Sequence, residues 1–291
     1  MRFAAVAVLA VVLAGCAGDD DGPPGPAPTT GPLPGPTTPG PTTTGPAPAR
    51  DVVLLAAFAF EDCLGAAVEE TFPVEDVQAL LPPGFTARDA PGAVGVPSGR
   101  ATATTEIHRC TYTAPGGTIE GAFLGRVLVD IEPPVEAFPG RDITADGHAY
   151  VFRMLAAEDV FSSAWAAAGY DTHSGPADIT IQTVTGSVGL PPAGPDFAVL
   201  AEAGAYVLDG RAASSSSQDT VTFRHYTRLE DGRHLLWNGE AERTVALEGL
   251  ATLATPDDDP LAGLRDAPHP TRLVGHDGTT YRDQTLLLTA A

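Results

Sequence analysis

The chain contains no lysine: all 16 basic residues are arginines, and they stand against 37 acidic residues. The resulting net charge of −21 argues against a nucleic acid as partner and against direct docking on anionic lipid. The absence of lysine also removes every side-chain primary amine. Arginine cannot take over that role, because its guanidinium group stays protonated and is a poor nucleophile.

Long apolar runs and cysteines are also scarce. The run at residues 4–13 is too short to cross a membrane and has the length of a secretory signal. It ends in Leu13-Ala14-Gly15-Cys16, which resembles the lipobox of bacterial lipoproteins. The resemblance implies a signal peptide over residues 1–16, cleavage before Cys16, and acylation of Cys16 with fatty acids such as palmitate. An ordinary signal peptide with a chance cysteine is the alternative. The lipoprotein interpretation places the protein on the extracytoplasmic face of the cell membrane.

Residues 17–50 differ in composition from the rest of the chain. Of these 34 residues, 25 are proline, glycine or threonine. Such a segment cannot bury enough apolar surface to offset the entropy lost on ordering, so it is predicted to be a disordered tether. Residues 51–291 have ordinary globular composition and are predicted to form the folded domain.

Most segments of this domain show the alternation typical of strands. Two short stretches have helical spacing instead, one near residues 73–81 and one near 158–169. Asp-Gly pairs at residues 231–232 and 277–278 predict hairpin turns. About ten strands with two short helices predict an α+β fold that is mainly antiparallel β, closed or nearly closed.

The first helical stretch and its surroundings resemble the opening of the acetoacetate decarboxylase-like superfamily. The matching residues are Pro73, Glu75, Val77, Leu80-Leu81-Pro82 and Gly84-Phe85. The likeness covers roughly residues 63–170 and implies that family's β-barrel over residues 51–291. Glu106 and the segment at residues 139–143 resemble the family's glutamate and its Gly-Arg-Glu segment. The resemblance therefore implies that Glu106 and Arg141 are polar groups of a ligand pocket.

The family's chemistry depends on a lysine that forms a Schiff base with a β-keto acid. In the family, lysines follow the Gly-Arg-Glu segment, and this chain has none there or elsewhere. The sequence thus predicts that the chain is not an enzyme, with no catalytic residue, cofactor or metal. It predicts a barrel that binds a small apolar or carboxylate-bearing molecule. Two alternatives remain: a lyase or hydrolase that uses Glu106 as acid and base, and a surface interaction module without an interior site.

Three further side-chain groups have plainer interpretations. Cys63 and Cys110 form one pair in an oxidising compartment and are expected to be a disulfide. His108 and His225 lie on alternating strands and are interpreted as ordinary strand residues. The acidic run at residues 257–259 lacks the spacing of a calcium loop and is interpreted as solvated.

Overall fold

The computed structural model describes residues 52–90, 97–115, 117–135, 137–138, 143–157, 159–184, 196–265 and 271–289. The signal peptide, Cys16 and the tether predicted for residues 1–50 lie outside the described residues, and so does Arg141. The strands are β1 (Val52–Pro73), β2 (Arg100–Ala114), β3 (Gly117–Asp130), β4 (Gly147–Ala156), β5 (Thr172–Ser174), β6 (Ala177–Val184), β7 (Asp196–Ala203), β8 (Tyr206–Arg228), β9 (His234–Ala254) and β10 (Thr271–Thr289). The helices are α1 (Val74–Leu80) and α2 (Asp159–Ala168), with a 3₁₀ turn at Ala262–Leu264.

The ten strands form one sheet, in the order β5-β4-β3-β2-β1-β10-β9-β8-β7-β6. Neighbours are antiparallel except where β4 meets β5 and where β4 meets β8. The β4–β8 pairing closes the seven strands from β4 through β1 to β8 into a ring. The predicted α+β fold with mainly antiparallel strands and two short helices is confirmed for the described part of the chain. No helix within that part is long and apolar enough to span a membrane.

Helix α1 is short because proline stands at both of its ends. Pro73 precedes its first residue with a φ of −52°, which suits a helix start. The helix ends at Leu80 because Leu81 is followed by Pro82, which disfavours helical backbone in the residue before it. Gln78 then fixes the chain beyond the helix, since its amide group bonds the backbone of Phe85 and Ala87. The helix packs on the outside of the ring through the buried Val77.

The pleat of β2 separates the inside of the ring from its outside. Ala101, Ala103 and Ile107 belong to the outer core, which α1 and the strands β6 and β7 cover. Residues of opposite parity point into the ring, and Cys110 belongs to a second, aromatic core. That core fills one end of the ring, where Trp165 stacks on Trp237 with ring centroids 5.4 Å apart.

Of the two predicted hairpin turns, one is confirmed. Leu229 N donates to Arg233 O over 2.8 Å and closes the turn between β8 and β9, where Gly232 has a φ of +84°. The turn predicted at residues 277–278 is wrong, because β10 runs straight through it. Gly278 has a φ of +73°, and the register shifts against both neighbouring strands there. An Asp-Gly pair suits a β-bulge as well as a turn, and here it makes a bulge.

A buried ion cluster ties the segment after β9 to the outer core. Arg265 donates to both oxygens of Glu70 on β1 and, over 2.5 Å, to Asp259. Tyr206 O–H donates to the other oxygen of Asp259 over 2.7 Å. Glu70 and Asp259 are 4% and 5% exposed. The interpretation of residues 257–259 as a solvated loop is therefore wrong for Asp259, whose charge is balanced by Arg265.

Candidate functional site

The other end of the ring interior is an open cavity of about 450 Å³. Each of the seven strands of the ring contributes residues to its lining, so the cavity lies inside the ring. Its volume falls within the roughly 300–1,000 Å³ typical of small-molecule sites. A surface module without an interior site does not fit this architecture.

The deep end of the cavity is formed by an ion pair between facing residues of two strands. Glu106 on β2 is directly opposite Arg126 on β3 in the strand register. The Nε and Nη2 groups of Arg126 both contact Oε1 of Glu106. Arg126 is 2% exposed, and its guanidinium lies 4.4 Å from the centre of a Trp237 ring. The pair thus separates the open cavity from the aromatic core.

Glu106 is held in its ionised form. Burial on its own would raise the pKa of this carboxyl group, but Arg126 and then His108 outweigh burial and lower the pKa well below its usual value. Nε2 of His108 lies 3.4 Å from Oε2 of Glu106. A carboxylate with a strongly lowered pKa is a weak base, so the hypothesis that Glu106 acts as acid and base is not supported. Its contacts identify it as the counterion that positions Arg126.

Glycine at position 65 makes room for the His108 ring. Gly65 on β1 faces His108 in the register, and a Cβ at Gly65 would lie only 2.2 Å from His108 Nδ1. Any side chain at this position would push His108 away from Glu106. The sequence of β1 thus helps to set the conformation of the ion pair.

His225 on β8, which is separated from β3 in the ring only by β4, contacts the same arginine. Its Nδ1 lies 2.8 Å from Nη1 of Arg126. A guanidinium can only donate, so Nδ1 accepts, and the single proton of the neutral ring sits on Nε2. Burial and the charge of Arg126 together lower the pKa of His225 well below its usual value, which keeps the ring neutral. His225, which lines the cavity, therefore carries its one N–H donor on a fixed nitrogen, Nε2.

A second neutral imidazole lines the cavity from β10. His276 is 8% exposed, and its Nδ1 has no hydrogen-bond partner among the described residues. Burial, reinforced by the neighbouring His108, lowers the pKa of His276 to about 4. Tyr281 on the same strand also lines the cavity. The deep end thus combines a guanidinium–carboxylate pair with uncharged hydrogen-bonding groups.

The lining also contains Asp130, the last residue of β3. Burial raises the pKa of this carboxyl group to about 6, against the effect of Arg88 and with a further contribution from Glu69. No hydrogen bond or ion pair to the Asp130 side chain occurs within the described ranges. Asp130 is therefore a partly buried carboxyl group whose protonation changes near neutral pH.

The structure separates the residues that the sequence singled out. Glu106 lines the cavity, and Arg141 lies outside the described residues. Cys63 and Cys110 form a disulfide between β1 and β2, with Cα atoms 4.1 Å apart, inside the aromatic core. No group of three or more His, Cys, Asp or Glu side chains in the described segments could hold a metal ion.

Sequence reasoning missed Arg126 because of a bulge. Near the turn, β2 and β3 pair Tyr112 with Ile119, and the register shifts by one residue before Cys110 pairs with Ala122. Counting outward from the turn without that shift would place Gly125 opposite Glu106. The sequence could therefore predict the residue opposite Glu106 only to within one position. It carried no signal that places His225 beside Arg126.

No family model matches this chain, and no curated protein matches it. Solved structures do. The enduracididine biosynthesis enzyme MppR complexed with pyruvate is 16% identical, with a TM-score of 0.46 over 79% of this chain and 90% of that one. MppR complexed with the condensation product of pyruvate and imidazole 4-carboxaldehyde is 15% identical, with a TM-score of 0.47 over 79% of this chain and 88% of that one. An acetoacetate decarboxylase-like enzyme from Sphingomonas wittichii RW1 is 11% identical, with a TM-score of 0.44 over 81% of this chain and 91% of that one. The fold neighbours are acetoacetate decarboxylase-like enzymes. These likenesses concern the fold alone.

The comparison corrects one prediction. The chain was expected not to be an enzyme, but the solved structures named above are described as enzymes. The sequence still offers no lysine, so an enzymatic activity would have to come from other side chains.

Proposed function

We propose that the interior of the ring binds a small molecule. The observation that carries the proposal is the cavity of about 450 Å³, whose deep end is a fixed polar group rather than an apolar plug. Arg126, Glu106 and His225 hold one another in place without any ligand. Such preorganised polar groups at the end of a concave site orient a ligand with little loss of entropy.

Blocking the cavity tests this proposal. Thr104 lines the cavity from β2, and Thr118 is an exposed residue of β3 outside it. Ligand-observed NMR with a fragment set should find binders of the full-length protein that no longer bind after Thr104→Phe. The matched Thr118→Phe variant should keep them. Fragments that bind both variants equally would place the binding elsewhere and contradict the proposal.

A second candidate is an enzyme of the lyase or hydrolase class, and the fixed tautomer of His225 favours it. A neutral imidazole N–H that points at a substrate oxygen stabilises negative charge that develops there during reaction. Arg126 fixes this tautomer through Nδ1, and Glu106 fixes Arg126. In this scheme His225 acts on the substrate, while Glu106 and Arg126 are positioning residues.

To test the enzymatic candidate, compounds related to the bound fragments are first screened for turnover by the protein, and the kinetics are then measured on a compound that is turned over. His225→Phe keeps a ring of similar size but removes the donor, so kcat should fall by about 10²–10³ while KM changes little. His173→Phe, which changes a histidine outside the cavity lining, should leave kcat unchanged. Equal kcat values for the wild type and His225→Phe would exclude a catalytic role for this donor.

We further propose that the protein is a lipoprotein on the extracytoplasmic face of the cell membrane. The sequence Leu13-Ala14-Gly15-Cys16 at the end of a signal-like apolar run supports this. Two or more acyl chains hold a protein stably on a membrane, where one chain gives only marginal binding. Cys16→Ala should abolish labelling by a radioactive fatty acid. Labelling that persists in this variant would refute the lipobox assignment.

A further inference from the structure

Strand β1 begins with a stretch that has a neighbouring strand on one side only. Residues 52–58 pair with β10, whereas the pairing of β1 with β2 begins at Ala59. On that second side no other described residue bonds the backbone of residues 52–58. Their outward N–H and C=O groups therefore form a free edge of the sheet, and such an edge is a template for another strand.

The side chains of this stretch expose apolar surface on both faces of the sheet. Val53 and Leu54 are 55% and 58% exposed, and Leu55 beside them is also exposed. Val53 is directly opposite Leu288, which packs against the aromatic core. Leu54 is opposite Leu287, which packs against the outer core. Because opposed residues lie on the same face of a sheet, Val53 and Leu54 extend the apolar surface of both cores into solvent.

The devices that normally protect a free edge are absent from this stretch. Native proteins blunt exposed edges with charged side chains or proline. Residues 52–60 read VVLLAAFAF and contain neither. An unpaired backbone edge with apolar side chains on both faces fits an added strand, because the alternate side chains of that strand cover both faces at once. A lipid bilayer fits it poorly, since lipid tails offer no partner to the free N–H and C=O groups.

The chain before residue 52 cannot supply this strand itself. Between residues 23 and 48 a proline recurs at least once in every five residues. Proline has no N–H group to donate, so it is poorly tolerated in a paired strand. A stretch of seven residues long enough to cover the edge without a proline does not occur in this range. The occupant of the edge must therefore come from another chain.

Charge favours a second copy of the same chain at this edge. The net charge of −21 makes two copies repel each other over most of their surfaces, but residues 52–60 are neutral. A twofold axis beside β1 would pair the stretch with itself in antiparallel fashion, so that apolar residues face apolar residues. The free edge ends at Ala59, where β2 takes over, so each copy has one such edge and the pairing closes after two chains.

We infer that residues 52–58 pair with the same residues of a second copy, antiparallel about a twofold axis, and that the protein is a dimer. The pairing joins the two ten-stranded sheets along β1. It covers the free edge and the exposed side chains of Val53 and Leu54 together. This interface does not involve the cavity lining, so it stands apart from the proposed ligand site.

Sedimentation equilibrium over a range of protein concentrations tests the inference. The full-length protein with Cys16→Ala is used, so that no acyl chain contributes to association, and it should show a monomer–dimer equilibrium. Leu54→Arg brings two like charges, one from each copy, into the shared interface and should raise the dimer Kd at least about tenfold. Hydrogen exchange should show the amide groups of residues 52–58 better protected at high protein concentration than at low concentration. In Leu54→Arg this difference should disappear.

Leu250→Arg is the matched control, because Leu250 is a similarly exposed leucine on β9, outside residues 52–58. It makes the same change in net charge and should leave the dimer Kd unchanged. A protein that stays monomeric at every concentration overturns the inference, and so does a Kd that Leu54→Arg does not change. Equal weakening by both variants would assign the association to net charge and would also overturn it. A monomer that floats with phosphatidylcholine vesicles, and loses this binding in Leu54→Arg, would show that the edge contacts lipid instead.

Discussion

Nη1 of Arg126 and Nδ1 of His225 lie 2.8 Å apart although 99 residues separate them in the chain. The contact joins β3 to β8 over the inner face of β4, the strand that lies between them in the ring. The same guanidinium also holds Glu106, so a single buried cation orders an acid on one side and an imidazole on the other. Removing any one of the three should therefore affect the other two.

Neutralising the counterion of this arginine should destabilise the fold. Glu106→Gln leaves the guanidinium of Arg126 buried without a compensating charge, which typically costs about 3–5 kcal/mol. Urea unfolding should show this loss. The double variant Glu106→Gln/Arg126→Met removes both charges and should recover most of the stability, because a pair replaced by groups of similar volume is close to neutral. A double variant no more stable than the single one would show that the charge is not the cause.

The ion cluster at Arg265 offers a second test of buried charge, with residues outside the cavity lining. Arg265→Met leaves Glu70 and Asp259 buried without their cation and should lower the free energy of unfolding by about 3–5 kcal/mol. Arg233, which pairs with Asp231 at an exposed turn, is the matched control. Arg233→Met should change stability by less than about 1 kcal/mol. Equal losses in the two variants would contradict the burial argument.

The sequence predicted the elements of this fold better than their closure. Local patterns suffice for α1, which lies between two prolines, and for the inward face of β2 that carries Glu106. The parallel pairing of β4 with β8 has no local signature, because it joins segments such as those of Asp146 and Thr222, 76 residues apart. Without that closure, nothing in the sequence places His225 beside Arg126.

β-Bulges explain the two other features that the sequence did not predict correctly, the residue opposite Glu106 and the course of β10. The register shift between Cys110 and Tyr112 decides which residue of β3 faces Glu106, and the shift after His276 turns a predicted hairpin into a continuous strand. Each bulge inserts an extra residue into one strand, and the local sequence allows both outcomes. The contacts of a whole ring select between them, and those contacts are not local.

His276 should make the fold sensitive to acid. Its pKa in the folded state is lowered to about 4, from an ordinary 6.5, by burial and by the charges of His108 and Arg243 against that of Glu106. Because the unfolded chain binds the proton more readily, stability is lost as pH falls from about 6.5 towards 4. His276→Gln has no imidazole to protonate and so lacks this part of the pH-dependent loss of stability. Urea unfolding at pH about 7.5 and 4.5 should show the variant losing roughly 2–3 kcal/mol less than the wild type. Equal losses would contradict the assignment.

Asp130 should have the opposite effect. Its pKa is raised to about 6, so the folded state binds the proton more readily than the unfolded chain, and stability falls as pH rises from about 4 to 6. Asp130→Asn should therefore be more stable than the wild type at pH about 7.5, by roughly 1–2 kcal/mol after allowing for partial exposure. The gain should vanish near pH 3.5. Asp209→Asn, at an exposed site, should show no such dependence. A pH-independent gain at Asp130 would rule out the raised pKa as its source.

The disulfide between Cys63 and Cys110 should contribute more to stability than the packing of its own atoms. The bridge joins residues 47 apart in the chain, both in the aromatic core. In the chain-entropy model, releasing a loop of this length lowers the free energy of unfolding by about 4 kcal/mol. Cys63→Ala/Cys110→Ala should show that loss in urea, and a reductant should destabilise the wild type but leave the double variant unchanged. Peptide mapping without reductant should recover the two cysteines in one linked pair. A double variant within about 1 kcal/mol of the wild type would mean that the unfolded chain gains little freedom when the bridge is removed.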